Sequence, residues 1–416
     1  MNRRNFLKTL AATTIAGHEV LNAQTGQRPN IVFFMVDDMG SEVLGCYGGQ
    51  SYHTPNIDNL AQTGMHFEHC YSTPVCSPSR VKIMTGRYGF RTTDRWGHLP
   101  PDEITFGDIL QSAGYTTALA GKWQMIELRN DPDHVSEHGF DEYCCWAWHE
   151  GPRYYQPRIW QNGVLLQNIE KYGPDVYTDF ITDFITRNRD RPFLAYYPMT
   201  LTHFAKTGKK HGEPPGPDGE YQSYSEMVER ADERVGRIVA TLDELGLREN
   251  TLILFTTDNG SPGRVTSKRN GKRVQGGKGT FTDRGTRVPL IVNMPGTVPA
   301  GTVNENLIDF SDFMPTFAEI AGTDVPEDRA IDGQSFWTLL QGQEGTPREW
   351  AFNYLGDRDQ GWIRTKRWKL YLDSKLYDMQ NDPEETNPIL PEQDDKESAA
   401  IRNRLQTTLI RLLMRL

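Results

Sequence analysis

Two apolar runs of strand length, Asn30–Val36 and Thr251–Thr257, each stop abruptly at a polar doublet, Asp37-Asp38 and Asp258-Asn259. A continuous apolar run bounded by turn and polar residues reads as a strand buried on both faces of a sheet. In open α/β sheets the binding crevice lies beyond the carboxyl ends of the strands. The two doublets are therefore expected to meet in one crevice. Apolar runs at 115–120, 192–197 and 288–293 fit the same sheet. Helical patterns lie between them, at 105–113 closed by Gly114 and at 221–245 closed by Gly246. This alternation predicts a doubly wound α/β domain over residues 28–335.

Beyond it the grammar changes. Residues 362–372 and 375–378 read as hairpin strands, Asp382-Pro383 as a turn, and 396–416 as an amphipathic helix. Ile401, Leu405, Leu409 and Leu412 form that helix's apolar stripe, expected to dock onto a sheet. A smaller α+β subdomain over 336–416 follows, and no internal repeat is found.

A chain of 416 residues can build a sizeable core, and its net charge of −10 argues against a general nucleic-acid binder. No stretch reaches the roughly 18 continuous apolar residues of a membrane span. Asn2-Arg3-Arg4-Asn5-Phe6-Leu7-Lys8 has the twin-arginine pattern, so residues 1–23 are read as an export signal and the periplasm as the destination. A plain basic leader is the alternative. Five cysteines are too few for a disulfide-built scaffold. Cys46, Cys70, Cys144 and Cys145 are free to pair or not, and the adjacent Cys144-Cys145 read as small buried residues.

The fifth, Cys76, stands in Cys76-Ser77-Pro78-Ser79-Arg80. Ser77 is expected to cap a helix over 78–85 that stops at Gly86, with Pro78 in its first turn. Residue 76 then sits at a helix N-terminus, which favours an anion, with the Arg80 cation one turn on. Composition alone would make Cys76 a buried structural cysteine, and either doublet alone an ordinary turn. Together they pose a chemical conflict. Aspartate and asparagine oxygens suit Ca²⁺ or Mg²⁺, whereas a thiolate is a soft ligand. The working group at position 76 is therefore not expected to be a thiol.

The Cys76–Arg80 segment resembles the type I sulfatase sequence at which cysteine becomes Cα-formylglycine (3-oxoalanine). The similarity extends over residues 30–40, 64–87, 114–123, 256–260, 277–289 and 376–383. It implies an α/β fold of the alkaline-phosphatase-like type, a mixed sheet flanked by helices with a smaller α+β C-terminal subdomain. It implies that Asp37, Asp38, Asp258, Asn259 and the hydrate of residue 76 ligate Ca²⁺, with Mg²⁺ as the alternative. Lys122 and Lys278 would contact the sulfate, with Arg80 beside it, and His203 would protonate the leaving alcohol with a pKa near neutrality. A formylglycine-generating or sulfatase-maturing enzyme is the implied partner.

One position departs from that pattern: Gln124 stands where the family commonly has histidine. A glutamine can hydrogen-bond the hydrate but cannot take its proton. His149 is a candidate replacement base or a pocket residue. The acid-free run of Arg264, Lys268, Arg269, Lys272 and Arg273 is either a solvated loop or a surface for a polyanionic glycan, which makes Arg264 and Arg269 substrate-binding candidates. Trp146, Trp148 and Trp160 offer either stacking faces or core. The implied activity is hydrolysis of a sulfuric ester, with a sulfated carbohydrate as substrate. The alternatives are a phosphonate monoester or phosphodiester hydrolase, and a non-catalytic glycan-binding homologue whose Cys76 stays unmodified.

Overall fold

The structure is a computed structural model that describes residues 28–92, 96–147, 150–204 and 213–414. The export signal expected over 1–23, together with Trp148 and His149, lies outside the described residues. Ten strands form one mixed sheet in the order β12-β2-β11-β8-β1-β7-β3-β4-β5-β6. They are β1 (Asn30–Val36), β2 (Met65–Tyr71), β3 (Thr116–Trp123), β4 (Glu142–Ala147), β5 (Trp160–Gln161), β6 (Val164–Leu165), β7 (Phe193–Pro198), β8 (Thr251–Thr257), β11 (Arg287–Asn293) and β12 (Thr302–Asp309). A separate hairpin pairs β9 (Thr266–Arg269) with β10 (Lys272–Gln275).

The centre of the sheet follows from the apolar runs. β1 lies between β7 and β8, parallel to both. Every residue of β1 is buried. Its alternate side chains serve two cores. Ile31, Phe33 and Met35 pack with the helices Cys76–Thr85, Phe106–Ser112 and Phe313–Ala321. Val32, Phe34 and Val36 pack with Pro55–Gln62, Gly173–Arg187 and Tyr224–Glu244. Fully burying one such side chain contributes about 1.5–3 kcal/mol.

Strand direction brings the chemistry to one edge. β3 is parallel to β7. β11 is antiparallel to both β8 and β2, and two reversals leave β2 parallel to β8. The segments after β1, β2, β7 and β8 therefore emerge on the same side. Gly121 permits the packing of β3 there: a Cβ at this position would come within 2.1 Å of the Pro198 carbonyl oxygen.

Several boundaries differ from the sequence reading. The helix after Cys76 starts at Cys76 itself, with Val75 extended as its N-cap. Ser77 is not the cap; its hydroxyl instead accepts the Gly97 N–H at 2.8 Å. The long helix begins at Tyr224, because Ser223 and Glu226 form a capping box there. β2 and β12 carry mixed polar patterns that hid them, since part of each is not fully buried. All five cysteines are free, and Cys144 and Cys145 sit in β4 facing opposite cores.

The C-terminal segment forms a four-stranded antiparallel sheet, β13 (Ala351–Leu355), β14 (Gln360–Arg364), β15 (Trp368–Tyr371) and β16 (Leu376–Asp378). Leu405 of the Lys396–Leu413 helix packs on this small sheet with Ile401, Leu409 and Leu412 around it. A buried lysine ties the sheet to the Cys76 helix. Lys82 Nζ donates to Asp309 Oδ2 and to the Phe352 carbonyl, each at 2.9 Å. Lys82→Met leaves Asp309 buried without its cation, and unfolding free energy from a urea titration is expected to fall by about 3–5 kcal/mol.

Candidate active site

The site is assembled by backbone before any side chain acts. The Asp37 N–H donates to the Leu201 carbonyl and the Thr202 N–H returns to the Asp37 carbonyl, both at 2.7 Å. This locks the segment after β7 against the end of β1. Asp38 takes a left-handed conformation, φ 62°, which aspartate tolerates better than most residues. Its N–H donates to Asp258 Oδ1 at 3.1 Å, and the Asp258 N–H donates to the Val36 carbonyl at 3.0 Å. Cys76 arrives on its helix. Its approach is fixed by Thr73 Oγ1, which donates to the Val75 carbonyl at 2.9 Å and contacts Ser79 Oγ at 2.7 Å.

Each buried carboxylate faces a cation. Lys122 Nζ lies 2.5 Å from Asp37 Oδ2. Lys278 Nζ contacts both oxygens of Asp38, at 2.6 Å from Oδ2. Arg80 sends Nε and Nη2 to Asp258 Oδ2, at 3.1 and 2.7 Å. Asn259 Nδ2 donates to Asp38 Oδ1 at 2.9 Å. The ligand atoms of Asp37, Cys76 and Asp258 all lie within 4.8 Å of one another.

The donor set fits a hard divalent cation. Asp37 Oδ1 and Asn259 Oδ1 are buried oxygens without a hydrogen-bond partner. Such orphaned acceptors are costly unless something positive meets them. Asp37, Asp38, Asp258 and Asn259 supply oxygen only, as Ca²⁺ and Mg²⁺ prefer. The electrostatics agree. Burial, then the Asp37 charge, pushes Asp38 up to about 7 despite Lys278. Burial and Asp37 also raise Asp258, Arg80 notwithstanding. Asp37 is itself held well below the usual carboxylate range: burial opposes its ionisation, but Lys122, His203, Arg80 and Lys278 prevail.

Cys76 is the misfit. Burial, aided by Asp37 and Asp258, pushes its thiol upward, against Lys122 and Lys278. It is therefore a thiol at neutral pH, and the thiolate is the nucleophilic form of cysteine.

His203 reaches the cluster, with Nε2 3.9 Å from Asp38 Oδ2 and Nδ1 3.0 Å from the Phe204 carbonyl. Burial first, then the neighbouring Arg153, pushes its pKa below the ordinary histidine value, while Asp37 opposes them. Gln124 follows β3 beside the Cys76 helix, its carbonyl 3.4 Å from Ser77 Oγ, and its Oε1 is buried without a partner. Arg264 is exposed and stacks on Phe204, 3.4 Å from the ring centroid. Arg269 is instead tied into the loop after β1, its Nε donating to the Tyr47 carbonyl at 2.8 Å. Trp146 and Trp160 are buried.

Three residues near the cluster carry no signal in the sequence. Arg153 is buried over the Trp146 ring, 4.2 Å from its centroid, and sets the charge felt by His203. Tyr154 Oη donates to the Thr200 and His203 carbonyls at 2.7 and 2.5 Å. Tyr224 Oη donates to the Asp38 carbonyl at 2.9 Å. None has a telling spacing; each matters only because packing delivers it.

A mixed sheet flanked by helices, with acidic residues and a helix-borne position 76 gathered at one strand edge, defines an enzyme of the alkaline-phosphatase-like superfamily. Within it, the chain belongs to the sulfatase family: residues 29–323 match the sulfatase domain, and residues 277–415 match the N-sulphoglucosamine sulphohydrolase C-terminal domain. It is 33% identical to N-acetylgalactosamine-6-sulfatase of Canis lupus familiaris over 374 residues, 80% of this chain and 69% of that protein. It is 27% identical to steryl-sulfatase of Rattus norvegicus, over 92% of this chain and 88% of that protein. The crystal structure of Ps i-CgsB in complex with k-i-k-neocarrahexaose is similar with a TM-score of 0.77 and 26% identity, covering 93% of each chain. The protein is a sulfatase.

Proposed function

We propose that this sulfatase removes sulfate from a sulfated carbohydrate through the hydrate of a formylglycine made from Cys76. The observation that carries the reading is the chemical conflict at position 76: a protonated, buried thiol within 4.8 Å of carboxylates in an oxygen-donor cluster. An aldehyde hydrate resolves it by placing oxygen where sulfur stands. Asp37, Asp38, Asp258, Asn259 and residue 76 would hold Ca²⁺, with Mg²⁺ as the alternative. A bound cation would supply charge neutralisation and Lewis-acid polarisation at this cluster.

The chain's own groups divide the remaining work. One oxygen of the hydrate loses its proton with help from Asp258 and attacks sulfur as the bond from sulfur to the alcohol oxygen breaks, forming a sulfate ester on residue 76. Lys122, Lys278 and Arg80 hold the charged sulfuryl oxygens. Lys278 and His203 both border Asp38. His203, with Lys278 beside it, would give the departing alcohol its proton. The second hydroxyl of residue 76 then loses its proton to water, the carbon–oxygen bond to sulfate breaks, and the aldehyde returns and adds water to restore the hydrate. Conversion of Cys76 needs a formylglycine-generating or sulfatase-maturing partner, and the twin-arginine pattern supports export of the product to the periplasm.

A carbohydrate substrate is supported by the N-acetylgalactosamine-6-sulfatase relative and by the k-i-k-neocarrahexaose in complex with Ps i-CgsB. The test combines peptide mass spectrometry of residue 76 with sulfate release from defined sulfated saccharides, a sulfated steroid and a phosphodiester. Unmodified Cys76 in active protein from its native host sinks the formylglycine reading. Preference for the steroid or the phosphodiester sinks the carbohydrate one.

Gln124 makes a kinetic prediction. With no base at that position, breakdown of the sulfated residue 76 is expected to limit turnover, giving a pre-steady-state burst of alcohol. Gln124→His is expected to shrink the burst and raise kcat by about 100-fold, the low end for general base catalysis. Absence of a burst in the wild type refutes this.

A further inference from the structure

The β9–β10 hairpin is an arm whose outward cations have no ion-paired carboxylate among the described residues. Asn270 and Gly271 both have positive φ, 48° and 77°, the tight turn that matches strand twist. The arm is pinned along its length. The Gln50 N–H donates to the Lys268 carbonyl at 2.8 Å, the Asn270 N–H to the Gly48 carbonyl at 2.9 Å, and the Lys268 N–H to Ser51 Oγ at 2.7 Å. Ser267, Arg269 and Val274 face inward and are buried or half-buried. Lys268 and Arg273 lie directly opposite each other on the outward, exposed face.

Two like charges set across a strand pair destabilise it. Among the described residues, no carboxylate is ion-paired with Lys268, Lys272 or Arg273, in a chain of net charge −10. A solvated loop needs neither the ordered hairpin nor the opposed cations. The arm is also rooted in the site. The Lys278 N–H donates to the Ser261 carbonyl at 2.9 Å, and Gln275 Nε2 to the Gly263 carbonyl at 2.8 Å. Arg264, stacked on Phe204 next to His203, stands just before the first strand of the hairpin, and Lys268 lies about 7 Å along that strand, opposite Arg273.

We propose that this hairpin is an exosite for a polyanionic glycan, in which Lys268 and Arg273 hold a second sulfate or carboxylate of the chain whose sulfate ester enters the cluster. The inference rests on the carbohydrate reading above. Spaced single cations on a ribbon suit a linear polymer of anionic sugars, and the arm's root at a sulfate-ester site favours a sulfated glycan over a nucleic acid.

The test compares kcat/KM for a sulfated monosaccharide and for a sulfated oligosaccharide carrying the same residue, in wild type and in Lys268→Gln/Arg273→Gln. The ratio of the two substrates is the readout, which cancels general damage to the enzyme. In wild type the ratio is expected to fall as NaCl rises. The double variant is expected to lower it about fivefold at low salt, and Lys268→Arg/Arg273→Lys to restore it. Fluorescent heparin hexasaccharide binding to Cys76→Ala protein should weaken in parallel. An unchanged, salt-insensitive ratio overturns the exosite while leaving the carbohydrate reading intact. Equal competition by single-stranded DNA overturns its glycan specificity. If no sulfated saccharide is turned over by the wild type, the carbohydrate reading fails first, and the exosite with it.

Discussion

Cys76→Ala is expected to reduce sulfate release by about 10⁶-fold, the loss seen when a covalent nucleophile is deleted. Folding should survive, because the residue is small and the loop around it is held by Thr73, Ser77 and Ser79. Cys76→Ser is the more telling variant. A serine hydroxyl can attack sulfur, yet its carbon bears no second hydroxyl, so the sulfate ester has no route back through an aldehyde. That protein is expected to stop after one turnover with sulfate covalently retained on residue 76, detectable by intact mass. Sustained turnover by the serine variant would show that the intermediate is released by water attack on sulfur. A thiolate mechanism predicts something else again: loss of activity in Cys76→Ser with no trapped ester.

Removal of divalent cation is expected to abolish turnover and to make stability depend on pH. Asp37, Asp38 and Asp258 share one buried cluster, and without an added positive charge burial and mutual repulsion push Asp38 up to about 7. A carboxyl raised in the folded state favours that state only while protonated. The contribution is present in full below its ordinary value of 3.8 and is lost as pH climbs through about 7. Chelator-treated protein should therefore lose thermal stability steadily between about pH 4 and pH 7. Protein with excess Ca²⁺ should not, since the ion meets the ionised form. At about 100-fold excess over Kd the ion adds about 2.7 kcal/mol. Melting curves across pH, with and without chelator, check this. Parallel curves would mean that Lys122, Lys278 and Arg80 alone neutralise the cluster. Restoration by Ca²⁺ and Mg²⁺ in separate titrations identifies the preferred ion.

Legibility differed by element. The strands at the centre of the sheet announce themselves because burial on both faces demands continuous apolar residues, as in β1 and β8. β2 and β12 do not, because partly exposed strands keep polar side chains such as His66, Glu68 and Asn304. The helix after Cys76 was expected two residues late. Ser77 has the right chemistry for a cap, but its hydroxyl is engaged by Gly97 from a distant loop. At the site, residues with a motif were found, and residues delivered by packing were not. Arg153 and Tyr154 come from a loop whose sequence shows no periodicity, yet they set the charge and position of His203.

The sequence by itself determined the sheet's central strands, the oxygen-rich doublets and the conflict between those oxygens and a cysteine, because these depend on residue type and local spacing. Only the tertiary structure decided which charges meet: Lys122 with Asp37, Lys278 with Asp38, Arg80 with Asp258. It also decided that His203 stands beside Asp38, that Arg269 belongs to the scaffold and that Lys268 and Arg273 face outward together. The physical reason is that Coulomb energy and desolvation depend on distance and burial. Neither quantity exists until strands far apart in the chain lie side by side.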